Sequence, residues 1–296
     1  MKKLMFIINP VAGRGSYKQG LGEALGVLYA GGYVPTLYFT TRAGEAVSLA
    51  AEHAGDYDVV CCLGGDGTLS DVVAGLLTLP NPPPIGYFPL GTANDVATTL
   101  KLPKNDTVAA AKLVVAGTPL PWDAGSMGES DKFVYVAAFG AFTDVSYETT
   151  QQSKQTLGSL AYLLEGMNRL PRLPHYHTRV ELSGDRVFEG DYIFGCATNS
   201  TSVGGLVKLD QSRVDLSDGE FEISLVRYPA NLLDLNTLMG EAVTKNGNGE
   251  FFTLTQAHKA RFIFDAPVPW TRDGEAGGAY ADITIENISG KIEIIC

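Results

Sequence analysis

Over the first 120 positions, short uninterrupted apolar runs alternate with segments whose apolar residues recur every three or four places. Leu4–Asn9 is such a run and predicts a buried strand. Tyr17–Ala30 carries Leu21, Ala24, Leu25 and Leu28 at helical spacing, and Gly31-Gly32 ends the helix. Thr36–Thr40 reads as a second strand, Glu45–His53 as a helix and Val59–Leu63 as a third strand. Leu69–Leu77 reads as a helix stopped by Pro80 and the prolines at 82–84. Ile85–Phe88 follows as a fourth strand, and a further helix opens at Asn94. This alternation predicts a mostly parallel sheet covered on both faces, with ligands gathering where strands end and helices begin.

Beyond Pro119-Leu120-Pro121 the period changes to two. Phe133–Phe139, Thr178–Leu182, Val187–Ala197, Phe221–Val226, Phe251–Thr255, Arg261–Phe264 and Ile283–Ile295 read as strands, with one helix at Leu157–Leu170. The predicted fold class is α/β, with an N-terminal α/β domain over residues 1–121, a β-rich domain over 122–296 and a cleft between them.

A chain of 296 residues suits two domains, and 45% apolar with 19% charged residues supplies an ordinary globular core. No apolar stretch approaches the roughly 18 residues that span a bilayer, and the opening run is too short for a signal peptide. A soluble, cytoplasmic protein is expected. Cys61, Cys62, Cys196 and Cys296 form no metal-binding spacing and read as buried apolar residues. The net charge of −11 opposes nucleic acid and anionic lipid alike. Any membrane contact therefore needs a local basic or apolar patch, or metal ions.

Three glycine loops carry the candidate chemistry. Gly64-Gly65-Asp66-Gly67-Thr68 joins a buried strand to a helix. Bare amides at a helix N-terminus suit phosphate, although the same pattern serves a tight packing turn. Asp66 sharpens the choice, because a carboxylate beside polyphosphate requires a divalent cation between them, so Mg²⁺ is expected. Asp71, one turn on, reads as part of a solvated helix face. Pro89-Leu90-Gly91-Thr92-Ala93-Asn94-Asp95 repeats the strand–glycine–helix arrangement. Thr92 and Asn94 read there as helix caps or phosphate ligands, and Asp95 as a second member of the metal network. The third loop, Asn9-Pro10-Val11-Ala12-Gly13-Arg14, ends the first strand and so should share their sheet edge, with Arg14 able to reach phosphate.

Near the C-terminus, Arg272-Asp273-Gly274-Glu275 reads as a hairpin turn. Its two carboxylates flank a glycine and, in an extended strand, would face the same way. Either can take a proton from a substrate hydroxyl if the hairpin meets the cleft.

Taken in order, Ile8-Asn9-Pro10 with Gly13, Gly64-Gly65-Asp66-Gly67-Thr68, Pro89-Leu90-Gly91-Thr92-Ala93-Asn94-Asp95 and Asp273-Gly274-Glu275 resemble the diacylglycerol kinase catalytic family, which includes sphingosine kinases. Trp122-Asp123-Ala124-Gly125, Ser146-Tyr147-Glu148-Thr149 and Leu157–Pro171 extend the likeness to nearly the whole chain. The resemblance implies a nucleotide-binding α/β domain followed by a β-sandwich domain, with ATP in the cleft. It implies ATP contacts at Asn9, Pro10, Gly13, Thr41, Gly64, Gly65, Asp66, Gly67, Thr68, Thr92 and Asn94. It also implies an aspartate–water–Mg²⁺ network at Asp66, Asp95 and Asp123, and a catalytic base at Asp273 or Glu275. A structural cation is implied at Asp215-Leu216-Ser217-Asp218-Gly219-Glu220, through the Asp218 side chain and carbonyls of Asp215 and Glu220. An Asp-x-x-Asp-Gly turn does offer hard oxygen ligands, and equally forms an ordinary turn between strands.

The expected reaction is transfer of the ATP γ-phosphoryl group to a lipid hydroxyl at the inner face of the membrane, diacylglycerol foremost. A homodimer accords with the family's habit. An NAD kinase-like soluble kinase or a non-catalytic nucleotide-binding regulator are the rivals. Residues 169–175 mix basic and apolar side chains as an interfacial patch would.

Overall fold

The computed structural model of the chain describes residues 1–92, 94–129, 131–141, 174–199, 202–203, 207–208, 216–244 and 249–296. The Leu157–Leu170 helix, the Ser146–Thr149 segment, Ala93, residues 169–173 and Asp215 lie outside the described residues, as does the side chain of Arg14.

Strands β1 (Lys2–Ile8), β2 (Tyr33–Phe39), β3 (Val59–Gly64) and β4 (Ile85–Pro89) pair in parallel in the order β2-β1-β3-β4. Helices α1 (Leu21–Ala30), α2 (Glu45–His53) and α3 (Asp66–Leu76) connect them, followed by the short α4 (Asp95–Thr99) and by α5 (Thr107–Ala116). The run Leu4–Ile8 is wholly buried because each of its faces meets a helical layer. Met5 and Ile7 pack with Ala46, Ala50, Val72, Val73 and Leu76 of α2 and α3. Leu4, Phe6 and Ile8 pack with Ala24, Leu28, Ala110, Ala111 and Val114 of α1 and α5. At roughly 1.5–3 kcal/mol for each large side chain taken from water, this run anchors the sheet.

The remaining strands are β5 (Pro119–Met127), β6 (Asp131–Phe133), β7 (Val136–Gly140), β8 (Tyr176–Leu182), β9 (Arg186–Thr198), β10 (Ser202–Val203), β11 (Val207–Lys208), β12 (Phe221–Arg227), β13 (Phe252–Ala257), β14 (Lys259–Arg272) and β15 (Glu275–Ile295). Apart from the β10–β11 ribbon they extend the same sheet in antiparallel fashion, as β13-β12-β9-β7-β14-β15. The sheet is continuous because the end of β15 returns to pair with β4 at Ile294↔Ile85. A second core of Phe133, Phe139, Phe262, Phe264 and Trp270 fills one face of this region, and α6 (Leu232–Thr244) covers Phe194, Cys196 and Val226 on the other with Leu235 and Leu238.

Several expectations are corrected. The third helix begins at Asp66 rather than Leu69, so Asp66, Gly67 and Thr68 form its first turn. The helices α5 and α6 were not anticipated. Pro119-Leu120-Pro121, where the pattern changes, already belongs to strand β5, with Pro119 opposite Ile295 and Pro121 opposite Glu293. The predicted strand Phe133–Phe139 is broken at Val134 and Tyr135, whose amides turn away from the ladder.

Candidate active site

The crossing from β2 to β3 over β1 places a topological switch between β1 and β3, the point at which open α/β sheets hold ligands. Asn9 closes it on one side: its amide donates to the Leu63 carbonyl at 2.9 Å and its Nδ2 to Thr68 Oγ1 at 3.0 Å. On the other side the Leu90 amide donates to the Gly64 carbonyl at 2.8 Å. The two glycine loops touch, since a Cβ on Gly91 would lie 2.6 Å from Gly65 Cα. Only bare backbone fits there, and it leaves the α3 N-terminus lined by amides. Pro10 and Gly13 follow in and beside a 3₁₀ turn over Ala12–Lys18 on the same edge. Thr41 also reaches this edge, where its amide and hydroxyl both donate to Glu45, which holds that carboxyl below its usual range.

Asp66 is buried and multiply bonded. It accepts from the Asp95 amide at 2.9 Å, the Val96 amide at 3.4 Å and the Tyr87 hydroxyl at 3.3 Å. The first residue of α3 thus caps α4. Asn94, expected as a cap, adopts φ 52° and turns its side-chain amide back to the Gly91 carbonyl at 2.9 Å. Burial pushes the Asp66 carboxyl up, against the pull of the Asp95 amide. The Asp95 carboxylate stands exposed beside it, and Thr92 is likewise exposed.

The hairpin between β14 and β15 brings its two acids to this edge in different ways. Asp273 and Gly274 take φ of 48° and 83° at the tip, so the strand geometry that would have aligned the acids does not hold. The Asp273 carboxylate is buried and accepts three amides, from Val134 at 2.8 Å and from Tyr135 and Val136 at 3.0 Å each. That capture is what breaks the predicted Phe133–Phe139 strand. Glu275 faces α3 instead. Its Oε1 lies 2.6 Å from where a Cβ on Gly67 would stand.

Four flanking residues complete the edge, and for Asp71 and the two tyrosines sequence reasoning fell short. Asp71 is not on a solvated face: burial, then the Glu275 charge, push its carboxyl up to about 6. Ser70 is buried next to Asp273, whose carboxyl burial pushes up against the pull of the three amides and the Ser70 hydroxyl. Burial and the charges of Asp273, Asp95 and Asp66 hold the Tyr135 phenol well above its usual value. Burial and Asp66 do the same to Tyr87. Asp71 had a signal, since it stands four residues after Gly67 on one helix face. The tyrosines had none, as Tyr87 meets Asp66 and Tyr135 meets Asp273 only through the fold.

Asp123 is fully buried and tied to a different neighbourhood. Its Oδ2 accepts from the Gly219 amide at 2.7 Å and from Asn287 Nδ2 at 3.2 Å, while Asn199 Nδ2 donates to its carbonyl at 2.9 Å. Asn199 in turn links to the site, its amide bonding the Tyr135 carbonyl at 2.9 Å. The Asp218 carboxylate accepts from the Glu220 amide at 2.9 Å and lies 3.5 Å from Gln256 Nε2. Next to this turn Glu222, which the sequence did not single out, is buried; that burial, with Asp218 and Glu220 adding to it, pushes its carboxyl up to about 7. Among the described residues no group of three or more His, Cys, Asp or Glu side chains is arranged to hold a metal.

Residues 3–127 match the model of the diacylglycerol kinase catalytic domain. The chain is 34% identical over 284 residues to a diacylglycerol kinase of Bacillus subtilis, covering 94% of this chain and 91% of that one. It is 33% identical over 285 residues to a diacylglycerol kinase of Staphylococcus carnosus, covering 94% and 90%. In fold it is similar to the crystal structure of a diacylglycerol kinase from Bacillus anthracis, with a TM-score of 0.77 at 23% identity over 99% of this chain and 96% of that one. A looser likeness, TM-score 0.56 at 12% identity over 99% and 93%, is to an NAD kinase from Archaeoglobus fulgidus solved in complex with ATP. With its phosphate-suited loops, paired aspartates and hairpin carboxylate on one sheet edge, and with relatives alike along almost its whole length, the chain belongs to the diacylglycerol kinase family of lipid kinases.

Proposed function

We infer that the protein transfers the γ-phosphoryl group of ATP to the free hydroxyl of diacylglycerol. One observation carries this reading: the Glu275 carboxylate, delivered by the far antiparallel region, stands against Gly67 in the first turn of the helix whose N-terminus ends the glycine loops. Phosphoryl donor and hydroxyl acceptor thus have a common meeting point. Residues 1–121 form the nucleotide half, residues 122–296 form the lipid half as a β-sandwich, and the cleft between them holds the reaction.

The amides of Gly64, Gly65, Gly67 and Thr92 and the side chains of Asn9 and Thr68 bind the polyphosphate, with Pro10 and Gly13 shaping the adjacent wall. Asn94 holds the Gly91 turn rather than ligand, and Thr41 borders the nucleotide. Glu275 accepts the acceptor hydroxyl's proton. Asp273, with three amides already on its oxygens, fixes the hairpin. The donor set fits a divalent cation: Asp95 is exposed, and Asp66 Oδ2, bonded to one amide, retains a lone pair. Asp66 and Asp95 would hold Mg²⁺ through oxygen or water, and the ion when bound neutralises charge on the transferring group. Asp123 supports this pair from behind through Asn199 and Tyr135. A second cation belongs to the Asp215–Glu220 turn.

Among the described residues no helix is long and apolar enough to cross a membrane. We take the protein to act as a peripheral enzyme at the inner face of the membrane, as a homodimer. The test is radiolabelled ATP with Mg²⁺ and either diacylglycerol in mixed micelles or NAD. Label in phosphatidic acid is expected; label in NADP alone would replace this reading with that of a soluble kinase.

A further inference from the structure

Asp71 is half-buried and Glu275 exposed, and the two carboxylates come to one face of α3 from positions about two hundred residues apart. Glu275 Oε1 sits against the bare backbone of Gly67. Asp71 lies four residues further along α3, which puts it one turn away on the same face. On its other side Asp71 meets the amide of Gly44, the residue that precedes α2. Arg272, on the opposite limb of the hairpin from Glu275, faces Asp71 as well and is held by Asp131 of β6 at 2.8 Å. Below lies Cys62 of β3, a fully buried thiol whose pKa both Asp71 and Asp66 push further up.

We propose that Asp71 is the positioning residue of the phosphoryl transfer: it orients Glu275 and receives from it the proton taken from the acceptor hydroxyl. This rests on Glu275 being the base, as read above. The balance is simple. The hydroxyl O–H bond breaks and its proton moves to a Glu275 oxygen. The freed oxygen pair forms the new O–P bond, and the bond to ADP breaks with its electron pair left on the β-phosphate oxygen. The proton then passes to Asp71 and to water along the Arg42–Gly44 turn, which resets Glu275.

The surroundings of Asp71 suit that part. Burial and Glu275 raise its carboxyl to about 6, against the pull of Arg272 and the Gly44 amide, so it exchanges a proton readily near neutral pH. Gly67 is bare because any side chain there would occupy the seat of the Glu275 carboxylate.

The experiment is steady-state kinetics of the full chain with Mg·ATP and diacylglycerol micelles from pH 5 to 9, together with melting temperatures. Asp71→Asn keeps the shape and the acceptor for Gly44 and removes the titration. It is expected to lower kcat at least about tenfold, to leave the KM for ATP within about twofold, and to displace the acid limb of the kcat profile by about half a unit or more. Asp71→Glu should restore most of kcat, and Gly67→Ala should lower kcat by displacing Glu275. Wild-type kcat and acid limb in Asp71→Asn overturn the proposal, as does a loss that tracks melting temperature alone with an unshifted limb. Should Asp71→Asn not fold, Asp71→Ser takes its place, and a wild-type kcat with an unshifted acid limb there is equally fatal. Glu275→Gln separates the two readings: if it stays active the base assignment fails, whereas if it is dead and Asp71→Asn is normal, only the role of Asp71 fails.

Discussion

The carboxylate of Asp66 accepts the amide of Asp95 at 2.9 Å, so the residue that opens α3 also caps α4. The two aspartates expected in one metal network therefore differ in structural weight. Asp95 offers an exposed side chain, whereas Asp66 holds two backbone amides and a phenol. Alanine at either position is expected to lower turnover by orders of magnitude. Only Asp66→Ala should also destabilise, by about 1–2 kcal/mol, the cost of a lost helix cap. Urea denaturation alongside kinetics distinguishes them.

The two hairpin acids should separate in the same way. Asp273→Asn replaces one acceptor oxygen with a donor opposite amides that also donate, leaving a buried pair unmatched. A loss of about 2–4 kcal/mol is expected, read as a shifted denaturation midpoint with unchanged slope. Glu275→Gln should keep its denaturation midpoint and lose about two or more orders of magnitude in kcat. Equal instability in both would remove the division of labour.

The contact between the glycine loops makes a third prediction. Alanine at Gly91 places a methyl group 2.6 Å from Gly65 Cα, where no flexible side chain can give way. The loops must part, and the amides aimed at phosphate move with them. The KM for ATP is expected to rise about tenfold, in line with the cost of misplacing a binding group by about 1 Å. Isothermal titration with a non-hydrolysable ATP analogue checks this independently of turnover.

The turn at Asp218 can be tested without substrate. If the Asp215–Glu220 loop holds a cation, millimolar Mg²⁺ should raise the melting temperature of the wild type by an amount that grows with the logarithm of its concentration above the Kd, and chelator should reverse it. Asp218→Asn should abolish the response. A Mg²⁺ dependence that is the same in Asp218→Asn, yet lost in Asp95→Ala, would assign the stabilising ion to the active site instead.

Much of the site was legible because its loops are local. Gly64 to Thr68 and Leu90 to Asp95 follow apolar runs that could only be strands, so their place at a sheet edge followed from period and length. What misled was context that lies elsewhere in the chain. Asp71 read as solvated because its own helix says nothing of Glu275, which arrives from β15. Val134 and Tyr135 read as mid-strand because apolar alternation runs through them, while Asp273 draws their amides out of the ladder. Pro119 and Pro121 read as the point where the pattern changes, yet they already lie in a strand along which β15 runs.

By itself the sequence determined the parallel layers, the glycine turns and the kind of chemistry they serve, since periodicity and backbone freedom are properties of neighbouring residues. The tertiary structure alone decided which hairpin acid is spent on backbone amides and which faces α3, which aspartate caps a helix, and that Asp71 has company. Those outcomes depend on burial and on which donors approach across the fold, quantities set by strand pairings that no local window contains.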